Sequence, residues 1–270
     1  MHTTSYNKME SFFRTYGGSF PKGAAGQVRV LEIGSKSYEG QGTYRPIIDA
    51  AGHSYLGLDL EAGENVDIVP ALPFVWPEIE DESVEVAISG QTFEHNPFFW
   101  VTACEMARVL RPGGYLCIIA PGSGPVHRYP MDCWRFYPDS WSAICALAGL
   151  ELVETYWEGD SLASRLNDWG QWRDTMLIGR RPLDESGAFA GASARRAQVT
   201  QPFRDGFGDF EAVSYRAGPA VTDYLARVER MQTKWPAEGL RRKVARKLYT
   251  RYEAEIFEPE AATGGPGKGH

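Results

Sequence analysis

Short apolar runs alternate with amphipathic stretches along the first 180 residues of the chain. Runs such as VRVLEI and VEVAIS have the length and composition of buried strands. Strands that alternate with helices are typical of a parallel, doubly wound α/β sheet. The pattern predicts strands at 28–33, 54–60, 66–69, 84–89 and 115–120 and helices at 5–16, 43–51, 98–110 and 138–148.

The character of the chain changes after residue 182. Residues 183–219 are rich in Gly, Ala, Ser and Arg and are predicted to be a linker or a surface excursion. Residues 220–256 carry two helical patterns, and we interpret them as a helical C-terminal extension. The second pattern has an apolar stripe among basic residues, which indicates a face docked on the domain or in a homodimer, or a patch for an anionic partner. Residues 257–270 are predicted to be disordered.

The first strand runs directly into a glycine- and serine-rich turn, GSKSYEGQG, and the second strand ends on Asp59. Glycine lets the backbone approach a ligand closely because it has no Cβ atom. An acid at the tip of the next strand can accept hydrogen bonds from two ribose hydroxyls at the open edge of the sheet. The two features together predict a pocket for an adenosine-containing ligand.

The spacing of the turn residues indicates which adenosine ligand fits. A dinucleotide fingerprint reads G-x-G-x-x-G, whereas Gly34 is followed by Gly40 and Gly42. Glu32, on the strand before the turn, would repel a pyrophosphate but would suit an ammonium and a sulfonium. S-adenosylmethionine has both groups and NAD has neither, so we expect S-adenosylmethionine.

Five segments in order, VLEIGS, YLGLDLEAGENVDIV, LPF, VEVAISGQTFEH and ACEMARVLRPGGYLCIIAPG, resemble the successive motifs of the class I S-adenosylmethionine-dependent methyltransferases. The resemblance is strong over 28–122 and weaker to about residue 182. Lys36 stands where the family's E-x-G-x-G-x-G motif has its second glycine. The resemblance implies a Rossmann-like, mostly parallel seven-stranded sheet within a domain at 1–182, with a terminal antiparallel pair at 151–159 and 174–182.

The resemblance also implies where the cofactor binds. In the family, the residues after the third strand flank the adenine, which here are Ala71 and Leu72. With the turn and the strand ends, the predicted cofactor-binding residues are Glu32, Gly34, Ser35, Asp59, Leu60, Ala71, Leu72 and Gln91.

A polar and aromatic segment at 121–141 follows the fifth predicted strand. Core packing alone does not explain a composition with so few aliphatic residues, so we interpret it as a substrate lid, with a structural cap as the alternative. Similar P-x-D-x-W-R-F segments occur in family members that act on small, often sugar-like or secondary-metabolite substrates, so the resemblance also favours a lid. The predicted substrate-binding residues are Arg128, Tyr129, Asp132, Trp134, Arg135 and Tyr137.

Two histidines are candidates for the proton acceptor that a hydroxyl or carboxylate acceptor requires. His127 in the lid is the first and His95 at the end of the fourth predicted strand is the second, with a structural hydrogen bond as the alternative for His95. Arg128 and Arg135 could fix an anionic or carbonyl-bearing substrate. Asp132 could orient a histidine, bind an amine or cap the loop.

Composition narrows the function classes further. A net charge of −7 argues against a general nucleic-acid binder. The chain has neither an 18-residue apolar run nor a signal-peptide core, so we expect no membrane partner and a cytoplasmic location. Four widely spaced cysteines predict free thiols and no metal site.

The reading that fits these features is an O-methyltransferase in small-molecule biosynthesis. The alternatives are N- or C-methylation of a small molecule, an NAD-dependent oxidoreductase on the same sheet, and a non-catalytic methyltransferase-like subunit.

Overall fold

The computed structural model describes residues 3–23, 26–38, 42–159, 172–183, 187–207 and 219–233. The chain divides into two units, Met1–Ala212 and Val213–His270. In the second unit the structure describes one helix, Pro219–Thr233; the predicted basic helix and tail beyond residue 233 lie outside the described residues. No helix in the described ranges has both the length and the apolar character needed to cross a membrane.

The first unit is built of six described strands and six α-helices. The strands are β1 (Arg29–Ile33), β2 (Ser54–Leu58), β3 (Val84–Gly90), β4 (Leu110–Pro121), β5 (Glu151–Trp157) and β6 (Asp174–Arg180). The helices are α1 (Thr3–Tyr16), α2 (Arg45–Ala50), α3 (Phe99–Val109), α4 (Pro138–Ala148), α5 (Ala188–Gly191) and α6 (Ser193–Arg204), and Pro219–Thr233 of the second unit is α7.

The strands form one sheet in the order β2–β1–β3–β4–β6–β5. The first four strands pair in parallel, and β6 is antiparallel to both of its neighbours. The chain moves outward from β1 to β2 and then crosses to the other side of β1 for β3. In open α/β sheets ligands bind at such a reversal, outside the carboxyl ends of the strands.

Apolar side chains on both faces of the sheet hold the helices in place. One cluster packs α3 and α4 on one face, around Leu116 and Trp141. The other packs α1 and α2 around Met9, Phe12 and Ile48. Because β1, β3 and β4 are covered on both sides, they read in the sequence as continuous apolar runs. The doubly wound α/β prediction is confirmed.

The predicted strand at 66–69 is reduced to a single parallel bridge between Leu58 and Ile68. The Asp67 carboxylate accepts a hydrogen bond from the Gly57 backbone N–H at 2.8 Å, and the Gly57 carbonyl accepts from the amides of Asp67 and Ile68. These three hydrogen bonds of Gly57, one of which a side chain accepts, take the place of a regular ladder along the outer edge of β2. The described residues form six strands in the sheet instead of the expected seven.

Strand β4 begins earlier than predicted, at Leu110 rather than 115. Leu110 pairs with Val84 and Tyr115 pairs with Val86, so the Pro-Gly-Gly segment bulges out of the ladder. Gly113 lies in the left-handed region at φ +77°. The Pro-Gly-Gly segment that follows α3 thus forms a bulge inside the strand.

The stretch 183–219, predicted to be a linker or surface excursion, is more ordered over 187–207 than that prediction implied. The buried rings of Phe189 and Phe203 belong to α5 and α6. Phe203 packs edge-on against Phe74 and Phe98, with centroids 5.7 and 5.0 Å away. Apolar positions spaced widely in a small-residue sequence gave too weak a periodic signal for these helices to be predicted.

All four cysteines are free, as expected, and only Cys133 is partly exposed. Burial raises the pKa of Cys104 and of Cys145 to about 12. Both thiols therefore stay protonated at neutral pH and pack as small apolar side chains.

If α6 belongs to the first unit, Phe203→Ala should lower its free energy of unfolding by about 3 kcal/mol, because the ring leaves a cavity beside Phe74 and Phe98. Urea denaturation followed by circular dichroism measures the change. The control is Leu183→Ala, whose side chain is 74% exposed and should change stability little. Equal midpoints for the two variants would contradict the packing of α6.

Candidate active site

The turn after β1 is the first element of the site. Gly34 lies at φ +77°, and a Cβ atom placed on it would lie 2.1 Å from the Thr92 Oγ1 atom. Only glycine satisfies both the backbone conformation and this contact. Ser35 follows, buried, and its amide and that of Gly34 both donate to the Leu58 carbonyl, at 3.2 and 2.9 Å. The turn is thereby fixed between the ends of β2 and β3.

Asp59 lies just beyond β2 with a partly exposed carboxylate. The Lys36 amide donates to its Oδ2 atom at 3.0 Å, and the Glu61 amide donates to its Oδ1 atom at 3.3 Å. Lys36 Nζ pairs with Glu61 at 2.6 Å rather than with Asp59. A carboxylate held by two backbone amides and open to solvent can accept further hydrogen bonds. Leu60 beside it is 55% exposed and borders the same opening.

Glu32 is enclosed beneath the turn, with 3% of its surface exposed. The Tyr55 hydroxyl donates to its Oε2 atom at 3.0 Å. Burial raises the pKa of Glu32 to about 8, so the side chain is mostly protonated at neutral pH in the free protein. The sequence did not indicate this enclosure, because a strand-end acid looks the same whether a neighbouring helix covers it or not.

The two predicted adenine neighbours lie on the segment between β2 and β3. Ala71 is exposed, and its amide donates to Glu78 Oε1 at 2.8 Å. Leu72 is half-buried and packs with Val75 and neighbouring aromatic rings. This segment presents an apolar surface with a fixed backbone.

A network of charged groups joins α1 to the same edge of the sheet. Gln91, at φ +58°, donates from Nε2 to Asp174 Oδ1 at 3.2 Å. Lys8 of α1 pairs with Asp174 at 3.1 Å and with Glu158 at 3.3 Å. Sequence reasoning found Gln91 but missed Lys8 and Asp174, because their pairing joins positions 166 residues apart.

Three side chains converge where the end of β3 meets the lid: Glu94, His95 and His127. One ligand atom from each lies within 4.8 Å of the others. Glu94 is fully buried and both of its carboxylate oxygens lack a hydrogen-bond partner. Burial raises the pKa of Glu94 to about 8. Glu94 is not among the site residues predicted from the sequence.

Each of the two histidine rings has an oxygen atom of the lid near its Nδ1 atom. His95 Nδ1 lies 2.5 Å from the Met131 carbonyl oxygen, and its ring centroid lies 4.7 Å from that of His127. Burial lowers the pKa of His95, so its imidazole is neutral at neutral pH. The His127 backbone amide donates to Asp132 Oδ2 at 2.7 Å, and its Nδ1 atom lies 3.4 Å from the same oxygen. The structure thus brings together the two predicted proton acceptors.

Asp132 and Arg135 hold the lid in shape. The Arg135 guanidinium donates to both Asp132 oxygens, at 2.6 and 2.8 Å, and to the Pro125 carbonyl at 2.8 Å. Although burial opposes ionisation, the hydrogen bonds from Arg135 and from the His127 amide lower the pKa of Asp132. Arg135 is therefore bound within the lid, and Asp132 lies where it both caps the loop and orients His127.

The remaining predicted substrate residues line the outer part of the lid. Arg128, Tyr129 and Tyr137 are exposed. The Tyr129 ring lies 6.1 Å from that of Tyr38, which extends from the turn after β1. Trp134 is anchored by a 3.0 Å bond from its Nε1 atom to the Asn96 carbonyl. Both lid and cap features are present, since the base of the segment is packed and its tip carries accessible aromatic and basic groups.

Residues 32–118 match a family model described as "Methyltransferase domain". Among curated proteins, an "Uncharacterized methyltransferase" of Mycolicibacterium paratuberculosis (strain ATCC BAA-968 / K-10) is 33% identical over 106 residues, covering 34% of this chain and 38% of that protein. A protein of the same description from Mycobacterium avium (strain 104) matches with the same identity and coverage. The chain thus spans well under half the length of these relatives.

Solved structures similar to this chain include the Burkholderia thailandensis 1,6-didemethyltoxoflavin-N1-methyltransferase. It is 14% identical with a TM-score of 0.49, over 66% of this chain and 78% of that one. A sarcosine dimethylglycine methyltransferase structure from Galdieria sulphuraria is 15% identical with a TM-score of 0.47, over 66% and 84%.

The matched segment contains the turn after β1, the acid after β2 and the strand-end residues after β3. These are the features from which the sequence predicted an S-adenosylmethionine pocket, and the sheet order places them at one edge. Over residues 32–118 the chain is thus similar to methyltransferase domains, and the predicted S-adenosylmethionine pocket lies within that match.

Proposed function

We propose that this protein transfers a methyl group from S-adenosylmethionine to an oxygen atom of a small molecule, with a sugar-like or secondary-metabolite acceptor. One observation carries the proposal: Gly34 of the cofactor turn packs against Thr92, two residues before the Glu94–His95 pair. This contact supports the proposal, because a ligand bound at the turn would lie beside the proposed proton-accepting cluster.

The residues at the turn fit the cofactor. A cradle without a Cβ atom at Gly34, next to the buried Ser35, admits a ligand close to the backbone. The open Asp59 carboxylate would accept the ribose hydroxyls, and Ala71, Leu72 and Leu60 would border the adenine. Glu32, which is buried beneath the turn, and Gln91, which follows β3, would both face the polar end of the ligand. When bound, the cofactor supplies a methyl group on a sulfonium.

The chain's own residues would hold the acceptor in line with that methyl group. Such positioning removes a large part of the free-energy barrier to methyl transfer. Arg128, Tyr129, Trp134 and Tyr137 would bind the acceptor from the lid, with the aromatic rings against its flat or ring-shaped surface. Asp132 and Arg135 keep the lid in shape. This geometry favours a small acceptor that reaches the cluster from the lid side.

A hydroxyl acceptor must lose its proton, and the imidazoles are placed to take it. His127 is the first candidate, because Asp132 lies 3.4 Å behind its Nδ1 atom and would stabilise the charged ring. His95 is the second, with its orientation set by the Met131 carbonyl. We propose oxygen rather than nitrogen or carbon as the acceptor atom. A neutral amine has less need of a proton acceptor, because its lone pair can react before any proton is lost.

The direct test is calorimetric titration of the full chain with S-adenosylhomocysteine and, separately, with NAD. We expect one site per chain for S-adenosylhomocysteine and no heat of binding for NAD. A panel of sugars and phenols with radiolabelled S-adenosylmethionine then identifies an acceptor. Binding of NAD alone would overturn the proposal, and binding of S-adenosylhomocysteine with methylation only of amines would move the acceptor atom to nitrogen.

Asp59→Ala should weaken S-adenosylhomocysteine binding at least tenfold, about 1.4 kcal/mol, because the ribose hydroxyls lose a charged acceptor. The measurement is the same calorimetric titration, with a melting curve to show that the fold persists. Glu61→Ala is the matched control, since this neighbouring exposed acid pairs with Lys36. Unchanged affinity in the Asp59 variant would place the ribose elsewhere.

His127→Ala should leave S-adenosylhomocysteine affinity unchanged and lower turnover of the identified acceptor by about 10²–10⁴-fold, the range for a positioned proton acceptor. Initial rates at saturating cofactor measure the effect. His53→Ala serves as control, because that ring packs against Phe13 and Phe20 away from the lid. Full activity in the His127 variant would leave proton removal to His95 or to solvent.

A further inference from the structure

The buried Glu94 carboxyl group is the most unusual polar group among the described residues. Its side chain is fully enclosed, yet neither oxygen has a hydrogen-bond partner. The nearest imidazole nitrogen, His95 Nε2, lies 3.7 Å from Oε1, which is beyond hydrogen-bond distance. Buried carboxyl groups are normally paired, hydrogen-bonded or bound to a metal.

No described arginine donates a hydrogen bond to this group. Arg135, the guanidinium on the same side, acts on Glu94 only through its charge, and it gives its hydrogen bonds to Asp132, Trp134 and Pro125, with its Nη2 atom 3.5 Å from His127 Nδ1. The neighbours of the Glu94 oxygens are therefore the imidazoles of His95 and His127, with one ligand atom of each residue inside a 4.8 Å group.

The histidines are oriented as metal ligands usually are. His95 Nδ1–H donates to the Met131 carbonyl at 2.5 Å, which leaves the Nε2 lone pair on the Glu94 side. Asp132 Oδ2 lies 3.4 Å from His127 Nδ1, and Arg135 fixes that carboxylate. The carbonyl behind His95 sets its tautomer and raises the basicity of its ligating nitrogen, and the Asp132 carboxylate lies on the corresponding side of His127.

We propose that Glu94, His95 and His127 bind a divalent transition-metal ion such as Zn²⁺. One carboxylate and two imidazoles form a set that suits Zn²⁺ and disfavours Mg²⁺, which prefers oxygen ligands. Three protein ligands leave a position open for water or for an oxygen of the acceptor.

The link to catalysis rests on the proposed function. An acceptor hydroxyl bound to the ion would lose its proton at a lower pH than in water. The histidines would then act as ligands, and His127→Ala would lower turnover for that reason. Zinc binding itself, measured without acceptor, separates this role from that of a metal-free proton acceptor.

The test is calorimetric titration of the chelator-treated full chain with ZnCl₂ and with MgCl₂. We expect one Zn²⁺ site per chain with a micromolar or lower Kd and no Mg²⁺ binding. Glu94→Gln and His127→Ala should each weaken Zn²⁺ binding at least about 100-fold, and Asp132→Asn about 10- to 100-fold. His53→Gln is the matched control and should bind as the wild type does. A parallel series with His2 and His270 replaced by Ala removes any binding by the terminal histidines.

Each variant is also titrated with S-adenosylhomocysteine, which reports an intact fold and tests the proposed function separately. If Glu94→Gln does not fold, His127→Ala decides, since its ring lies in the lid and is partly exposed. Absence of a one-site Zn²⁺ isotherm in the wild type, or equal Zn²⁺ affinity in wild type and cluster variants, would overturn the metal site. Loss of S-adenosylhomocysteine binding with retained Zn²⁺ binding would overturn only the methyltransferase proposal.

Discussion

The arrangement of the site depends on the close approach of two strand ends, where Gly34 after β1 meets Thr92 after β3. The chain crosses from β2 over β1 to β3, so these ends are neighbours although they are 58 residues apart in sequence. Because Gly34 has no Cβ atom, the two segments can approach this closely, and glycine adopts its left-handed conformation without strain. The turn of Gly34 is proposed to bind the cofactor, and the Glu94 cluster follows Thr92 on the other partner of this contact.

The lid is tied to the same point by main-chain bonds. The Glu94 carbonyl accepts from the amides of Cys133 and Trp134, at 2.7 and 3.2 Å. Phe136 at the base of the lid stacks on Trp141 of α4. The base of the lid is therefore hydrogen-bonded to the end of β3 and packed against α4. The inner residues of the lid thus contact the end of β3, and its outer turn carries the exposed side chains.

Much of this was readable from the sequence, and the reasons differ by residue. Continuous apolar runs predicted β1 and β3, because both strands are buried on both faces, and helical periodicity predicted α1 to α4. The positions of Gly34 and Asp59 just after β1 and β2 could be anticipated, because turn chemistry and strand ends are local features. The prediction of a strand at 66–69 was wrong, because the Asp67 side chain accepts a hydrogen bond from the Gly57 amide in place of a ladder bond. The burial of Glu32 and Glu94 could not be foreseen, because it depends on elements far away in sequence that cover them.

The sheet order has a consequence for the sequence of events in folding. Strand β6 is inserted between β4 and β5, so β5 has no ladder partner among the described strands until β6 has been made. Lys8 precedes its partner Asp174 by 166 residues, and Asp174 begins that last strand. Contacts of such long range form slowly because a long loop must close first. The ribosome must therefore release the chain through β6 before the edge that carries Gln91 and Asp174 can be completed, which makes the site one of the last parts of the domain to assemble.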